Sequence, residues 1–315
     1  MTTGPGANGE AMTLDRAAAG LLAPGRPAAW SRLTRDPRKW QLYSQEPGFM
    51  VAHAGLLAEL GPGVIDWLAG HALLLVKPEG WIDGVLPRVL RFLAGRGFEV
   101  AAVFRAGLTP VAIHDIWRYS WNIGPVERIE LSELLLALGP AYGLILADRE
   151  RAAGQWATTR LAQMKGPSRP DQQRPGQLRH ELGSPCRVMS YVHIPDEPAD
   201  IVRDLSLLLD RPEMTALIGR SMAGPDIPAA VSPADFSDVS CLDHSGSYQP
   251  GPEYRTASVR QRIAFMKDAF ERRREGCRYR IPPALWQHLL ELSAAISELP
   301  TTGTKLIEPL AESSS

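Results

Sequence analysis

The chain has 315 residues, 44% hydrophobic and 22% charged, and its 34 Lys and Arg against 35 Asp and Glu leave a formal net charge of −1. That balance is ordinary for a globular protein with a buried core and excludes a surface built for generic nucleic-acid or anionic-membrane binding, so neither partner is expected. Three cysteines, Cys186, Cys241 and Cys277, are odd in number and lack metal-type spacing; this argues against a disulfide framework or structural zinc and predicts a reducing, cytoplasmic setting.

Residues 1–28 are rich in Gly, Ala and Pro with little to bury, and they predict a disordered leader. Residues 29–70 carry Trp30, Trp40 and the amphipathic stretch "AHAGLLAELGPGVIDWLAG", which predicts a helical N-terminal extension of helix-turn-helix form. "HALLLVKP" (71–78) is a short apolar run ended by proline, hence a buried strand. "IDGVLPRVLRFLAGRG" (82–97) predicts a helix with Val85, Val89, Leu90 and Leu93 on one face. "FEVAAVFRA" (98–106) is the second strand, and "TPVAIHDIWRYSW" (109–121) opens a helix on Thr then Pro. After a further helix in "LSELLLALG" comes a third strand, "YGLILAD" (142–148), whose Asp148 is expected to cap the helix that follows. A long loop crowded with Pro, Gly, Arg and Gln (165–185) leads to a fourth strand, "RVMSYVH" (187–193), and a helix at 197–210.

Strand, helix, strand, helices, strand, helix, loop, strand, helix is a doubled strand-helix-strand order. It predicts an α+β fold: a ferredoxin-like split βαβ antiparallel sheet with helices on one face, here over residues 71–210. Residues 211–315 predict a loop-rich and helical C-terminal extension. Its stretch 223–254 is polar and Pro-rich, and two helices place Val259, Ile263, Met266 and Phe270, then Leu285, Leu289, Leu292 and Ile296, at helical spacing. "DHSGS" (243–247) has no strand before it and predicts an ordinary turn, and "ERRREGCRYR" (271–280) a solvated face.

A histidine after an apolar run is by itself most simply a core residue, and His193 gains a second reading only from its company. Three segments in order, "LVKPEGWIDG" (75–84), "MKGPSRPDQQRPGQLR" after Arg160, and "SYVHIPD" (190–196), resemble the motifs of nucleoside diphosphate kinases. The resemblance covers about residues 70–210. It implies a phosphotransferase that moves the γ-phosphoryl of ATP or another nucleoside triphosphate through phospho-His193. The acceptor is a nucleoside diphosphate or a specialised small molecule, and Mg²⁺ is held through the nucleotide phosphates rather than by a protein metal site.

The resemblance also assigns roles. Lys77 serves the γ-phosphate, while Arg160 and Arg179 clamp β- and γ-phosphates. Ser168 stands for a phosphate-contacting threonine. Asp204, eleven residues after His193, stands for the glutamate that orients the imidazole. Ser190 replaces a ribose-holding asparagine, and Ile194-Pro195 replaces Gly-Ser. The family tyrosine near the phosphates falls at Trp117 or Tyr119, and Trp121 is the candidate for its base-stacking phenylalanine. The chemistry suits these residue types, because guanidinium forks match phosphate oxygens and a neutral imidazole is a competent nucleophile. The departures motivate two alternatives: a nucleotide-binding regulatory or scaffold protein without turnover, and a triphosphate hydrolase on the same fold. The resemblance leaves a homo-oligomer open.

Overall fold

The computed structural model describes residues 28–224, 251–274, 281–303 and 305–307. The leader expected over 1–28, apart from Ala28, lies outside the described residues, as do most of the 223–254 stretch with its "DHSGS", the end of "ERRREGCRYR", and Cys241 and Cys277.

A 3-10 turn (Ala28–Arg32) leads to helices α1 (Pro37–Tyr43), α2 (Pro47–Leu60) and α3 (Gly63–Gly70). Then come β1 (His71–Val76), α4 (Pro78–Ile82), α5 (Leu86–Ala94), β2 (Phe98–Ala106), α6 (Pro110–Trp121), α7 (Val126–Leu136) and β3 (Ala141–Asp148). Next are α8 (Ala157–Lys165), α9 (Leu178–Leu182), β4 (Val192–His193), α10 (Pro198–Leu208) and α11 (Arg211–Ala223), and last α12 (Pro252–Thr256), α13 (Val259–Arg274) and α14 (Pro283–Ser297). Local chemistry starts several of these. Thr109 Oγ1 accepts the amide of Ala112 at 3.1 Å to open α6, and the Asp200 carboxylate accepts the Glu197 amide at 2.9 Å to open α10.

The strands form one sheet in the order β2-β3-β1-β4 with every neighbouring pair antiparallel. β3 therefore separates β1 from β2, which is the ferredoxin-like split βαβ arrangement. The apolar runs are buried on both faces because alternate side chains enter different layers. Ala72, Leu74 and Val76 of β1 pack with Val89 and Leu93 of α5, Leu161 of α8 and Leu178 of α9. Leu73 and Leu75 pack with Leu56 of α2, Leu68 of α3, and Ile201 and Leu205 of α10. Helices α5, α8 and α9 share one face, and the second face is covered as well, by the N-terminal helices, α6 and α10. A third cluster joins α13 and α14 to α7, with Ile263, Met266, Leu285, Leu289, Leu292 and Ile296 against Leu131 and Leu135. No single helix among the described residues is long and apolar enough to cross a membrane.

Two local expectations are corrected. The fourth strand is two residues long rather than 187–193, because Tyr191 adopts φ 61° and breaks the extended run just before Val192 pairs with Val76 and His193 with Leu75. Asp148 does not cap the next helix, which begins only at Ala157; its Oδ1 accepts the Glu150 amide at 3.0 Å and the Arg160 guanidinium at 2.7 Å.

Candidate active site

The site forms where β1 and β4 end side by side. Lys77 follows β1, and its amide donates to the Tyr191 carbonyl at 2.8 Å, tying the start of α4 to the residue two before His193. Gly80 fits there because a Cβ would lie 3.0 Å from that same carbonyl. The left-handed Tyr191 is itself braced: its hydroxyl donates to Asp83 at 2.6 Å, and Trp286 of α14 donates to the other Asp83 oxygen at 2.9 Å. A non-glycine residue at such a φ costs of order 1–3 kcal/mol and persists only where its surroundings hold it. Here they set the direction from which β4 delivers His193.

His193 Nε2 lies 2.7 Å from Asp204 Oδ2, and the ring is 19% exposed while the carboxylate is 4% exposed. An ionised aspartate at that distance places the proton on Nε2, which leaves the Nδ1 lone pair for other chemistry. Trp117 of α6 meets the imidazole edge-on, with centroids 5.3 Å apart. The turn after the histidine is pinned to α8 by its carbonyls. Lys165 Nζ donates to Ile194 at 2.9 Å, Thr158 to Pro195 at 2.5 Å and Thr159 to Asp196 at 2.7 Å.

The helix that carries Asp204 is held by the N-terminal segment. Lys39 lies 2.8 Å from Glu197 and 2.6 Å from Asp200, Tyr43 donates to Asp200 at 2.6 Å, and Arg203 pairs with Glu46 at 2.8 Å. Lys39, Tyr43, Glu197, Asp200 and Arg203 are all buried. Burial opposes the Lys39 charge, but the two carboxylates outweigh it and raise its pKa. The Asp204 position is thus set by residues more than 150 positions away in sequence.

A cavity of about 640 Å³ opens beside the histidine, lined by Lys77, Ser168, Arg179, Ser190, His193 and Asp204 among others. Arg179 donates to the carbonyls of Gly166 at 2.9 Å and Val192 at 3.2 Å, with the Ser190 hydroxyl at 3.5 Å, while its Nε is buried without an acceptor. Burial pulls the Arg179 pKa down to about 10. Gly166 ends α8 at φ 78°, where a side chain would strike Gln177, and so turns its carbonyl toward Arg179. Lys77 is not free: its Nζ lies 2.5 Å from Glu79, which is fully buried.

Arg160 is not brought to this cavity. Its guanidinium pairs with Asp148 at 2.7 Å and Glu150 at 3.2 Å, donates to the Arg96 carbonyl, and lies over Phe98. Its expected role as a phosphate clamp is corrected on that ground. Trp117, Tyr119 and Trp121 all line the cavity; Trp117 and Trp121 stack at 5.6 Å, and Tyr119 is tied to Glu46 at 2.5 Å. Sequence reasoning missed Lys39, Arg128, Lys165, Arg169, Arg187, Arg203 and Lys305, which also line it. Arg169 and Lys165 lie in or beside the loop motif that follows Arg160, and that motif was their available signal. Arg187 opens the stretch "RVMSYVH" and Arg203 adjoins Asp204, whereas Lys39, Arg128 and Lys305 arrive through long-range packing. Nine Lys and Arg line the cavity with four carboxylates, Glu79, Asp196, Asp200 and Asp204, and Glu197, Glu46 and Asp171 outside the lining pair with Lys39, Arg203 and Arg169, so that cations exceed carboxylates by two.

No family model matches this chain, and no curated protein matches it. Among solved structures it is similar to a nucleoside diphosphate kinase from Encephalitozoon cuniculi, at 14% identity over 44% of this chain and 87% of that one, with a TM-score of 0.37. It is also similar to an NDP kinase from Pyrobaculum aerophilum (15% identity, 46% and 98% covered, TM-score 0.37) and to the Aquifex aeolicus nucleoside diphosphate kinase (20%, 44% and 92%, TM-score 0.35). What the cavity can do follows from the residues that line it.

Proposed function

We propose that the protein is a phosphotransferase that passes the γ-phosphoryl group of ATP or another nucleoside triphosphate through His193 to a diphosphate or small-molecule acceptor. The observation that carries this reading is the 2.7 Å contact between His193 Nε2 and Asp204 at the wall of a cation-rich cavity. In the first half-reaction the Nδ1 lone pair attacks the γ-phosphorus. The bond to the β–γ bridging oxygen breaks, and the diphosphate leaves with that electron pair. Asp204 holds the Nε2 proton and stabilises the positive charge that develops on the ring. In the second half-reaction an acceptor oxygen attacks the phosphorus, and the N–P electrons return to Nδ1. Arg179 and Lys165 line the cavity and supply positive charge along the phosphate path.

Mg²⁺ accompanies the triphosphate in this reading. Among the described residues no group of three or more His, Cys, Asp or Glu is placed to hold a metal, and three of the four cavity carboxylates are already paired with lysines. The ion would therefore take its ligands from phosphate oxygens and water, and it supplies charge neutralisation to the transferring group.

A specific observation favours a second reading, nucleotide binding without transfer: Glu79 occupies the Lys77 ammonium at 2.5 Å. One experiment separates the two. The purified protein is incubated with γ-labelled ATP and Mg²⁺, with His193→Ala as control. Acid-labile, alkali-stable label that is absent from the mutant and chased by an acceptor supports transfer. Binding of ATP without label contradicts it, and phosphate release that needs no acceptor and survives in the mutant points to hydrolysis.

A further inference from the structure

The cavity has a second end that this transfer chemistry does not use. Arg128 of α7, Arg169 after α8 and Arg187 before β4 line it, with Ser132, Thr301 and Lys305 alongside. The four cavity carboxylates are all taken at the histidine end: Glu79 by Lys77, Asp196 by Lys165, Asp200 by Lys39 and Asp204 by His193. Arg169 pairs with Asp171, an exposed residue outside the lining. Arg128 donates through Nη2 to the carbonyls of Ser297 and Leu299 at the end of α14, but its Nε is buried with no acceptor, and the residue as a whole is 8% exposed. Arg187 has no ion-pair or hydrogen-bond partner among the described residues.

These guanidinium groups are close enough to oppose one another. Burial, with the nearby charges of Arg187 and Arg169, pulls the Arg128 pKa down to about 10 despite Glu298, and burial with Arg169 lowers that of Arg187. Cations gathered against their own repulsion, and partly desolvated, cost stability unless an anion joins them. Position ties them to the chemistry, because Arg187 adjoins Val188, whose carbonyl accepts from Lys77 Nζ at 3.5 Å.

We infer that the arginine end is a second anion subsite, and that the substrate of His193 carries another phosphate or diphosphate group, set apart from the phosphoryl it donates or receives. The inference rests on reading the histidine end as a phosphoryl-transfer site. It also accounts for part of the C-terminal segment, since Thr301 and Lys305 line the same cavity and the end of α14 positions Arg128.

The test is isothermal titration with a matched pair of ligands, GDP and guanosine 5′-diphosphate 3′-diphosphate, which differ only in the second anionic group. Wild type is expected to bind the doubly substituted ligand about tenfold or more tightly than GDP, as a charge-assisted guanidinium–phosphate contact warrants. Arg187→Gln removes most of that preference while leaving GDP affinity within about twofold, and Arg187→Lys retains part of it. Arg169→Gln repeats the measurement at an exposed position should Arg187→Gln fold poorly. Equal affinities in wild type overturn the subsite, and so does a variant that weakens both ligands alike, since that is a general field effect. Labelling of His193 by a γ-labelled triphosphate is scored on the same preparations. Label without the ligand preference overturns the subsite alone, and preference without label overturns the transfer reading and leaves the subsite standing.

Discussion

At the histidine end of the cavity every lining carboxylate has a partner within 3.5 Å: Lys77, Lys165 and Lys39 hold Glu79, Asp196 and Asp200, and the imidazole of His193 holds Asp204. At the other end Arg128 and Arg187 have no carboxylate partner among the described residues, and the one belonging to Arg169 is solvent-exposed. The same residue types are wired to different ends. Charges neutralised from within fix geometry: Asp196, which burial alone would raise, is held below its ordinary range by Lys165, Lys39 and His193. Charges left uncompensated are available to a ligand. Arg179 belongs in part to each class, committing Nη1 and Nη2 to backbone carbonyls and leaving Nε unclaimed.

The sharpest way to break this contrast is to move one charge from the first class to the second. Glu79→Gln strips Lys77 of its buried partner and should destabilise the fold by about 3 kcal/mol, the scale for half of a buried ion pair. Added triphosphate should then raise Tm more than in wild type, because it supplies the missing anion; an equal rise in both proteins would mean that Lys77 does not meet phosphate. Asp204→Asn keeps the shape and removes the charge that fixes the tautomer. It is expected to lower kcat about 10²-fold, near 2.7 kcal/mol, with KM for the triphosphate within about twofold; a pure KM effect would place Asp204 in binding alone. Arg179→Lys keeps charge but loses the fork, and should raise the triphosphate KM about 20-fold. Gly80→Ala is the mildest: its Cβ, 3.0 Å from the Tyr191 carbonyl, should cost about 1 kcal/mol and slow His193 labelling without changing GDP affinity.

Much of the fold was legible because local and global signals agree. "HALLLV" and "AYGLILAD" are continuous apolar runs, and both strands are covered on two faces. Thr109-Pro110 starts a helix as its residue types require. The failures have identifiable causes. Nothing local marks Tyr191 as left-handed; the brace comes from Asp83 and from Trp286, nearly a hundred residues on. Two expectations failed for one reason, since the expected cap Asp148 and the expected clamp Arg160 satisfy each other at 2.7 Å. Asp204 was named only through the family resemblance, eleven residues after His193, and the structure places it 2.7 Å from the ring on the helix that follows one turn later. Lys39 and Arg128 were not legible, because they reach the cavity only through long-range packing of distant segments.

The most direct measurement is the position of the phosphoryl group on the histidine. Brief exposure to γ-labelled triphosphate, followed by alkaline digestion and resolution of the two phosphohistidine isomers, reports which ring nitrogen reacted. With Asp204 holding Nε2 at 2.7 Å, the account predicts phosphate on Nδ1 of His193. Phosphate on Nε2, or on another residue, would contradict it.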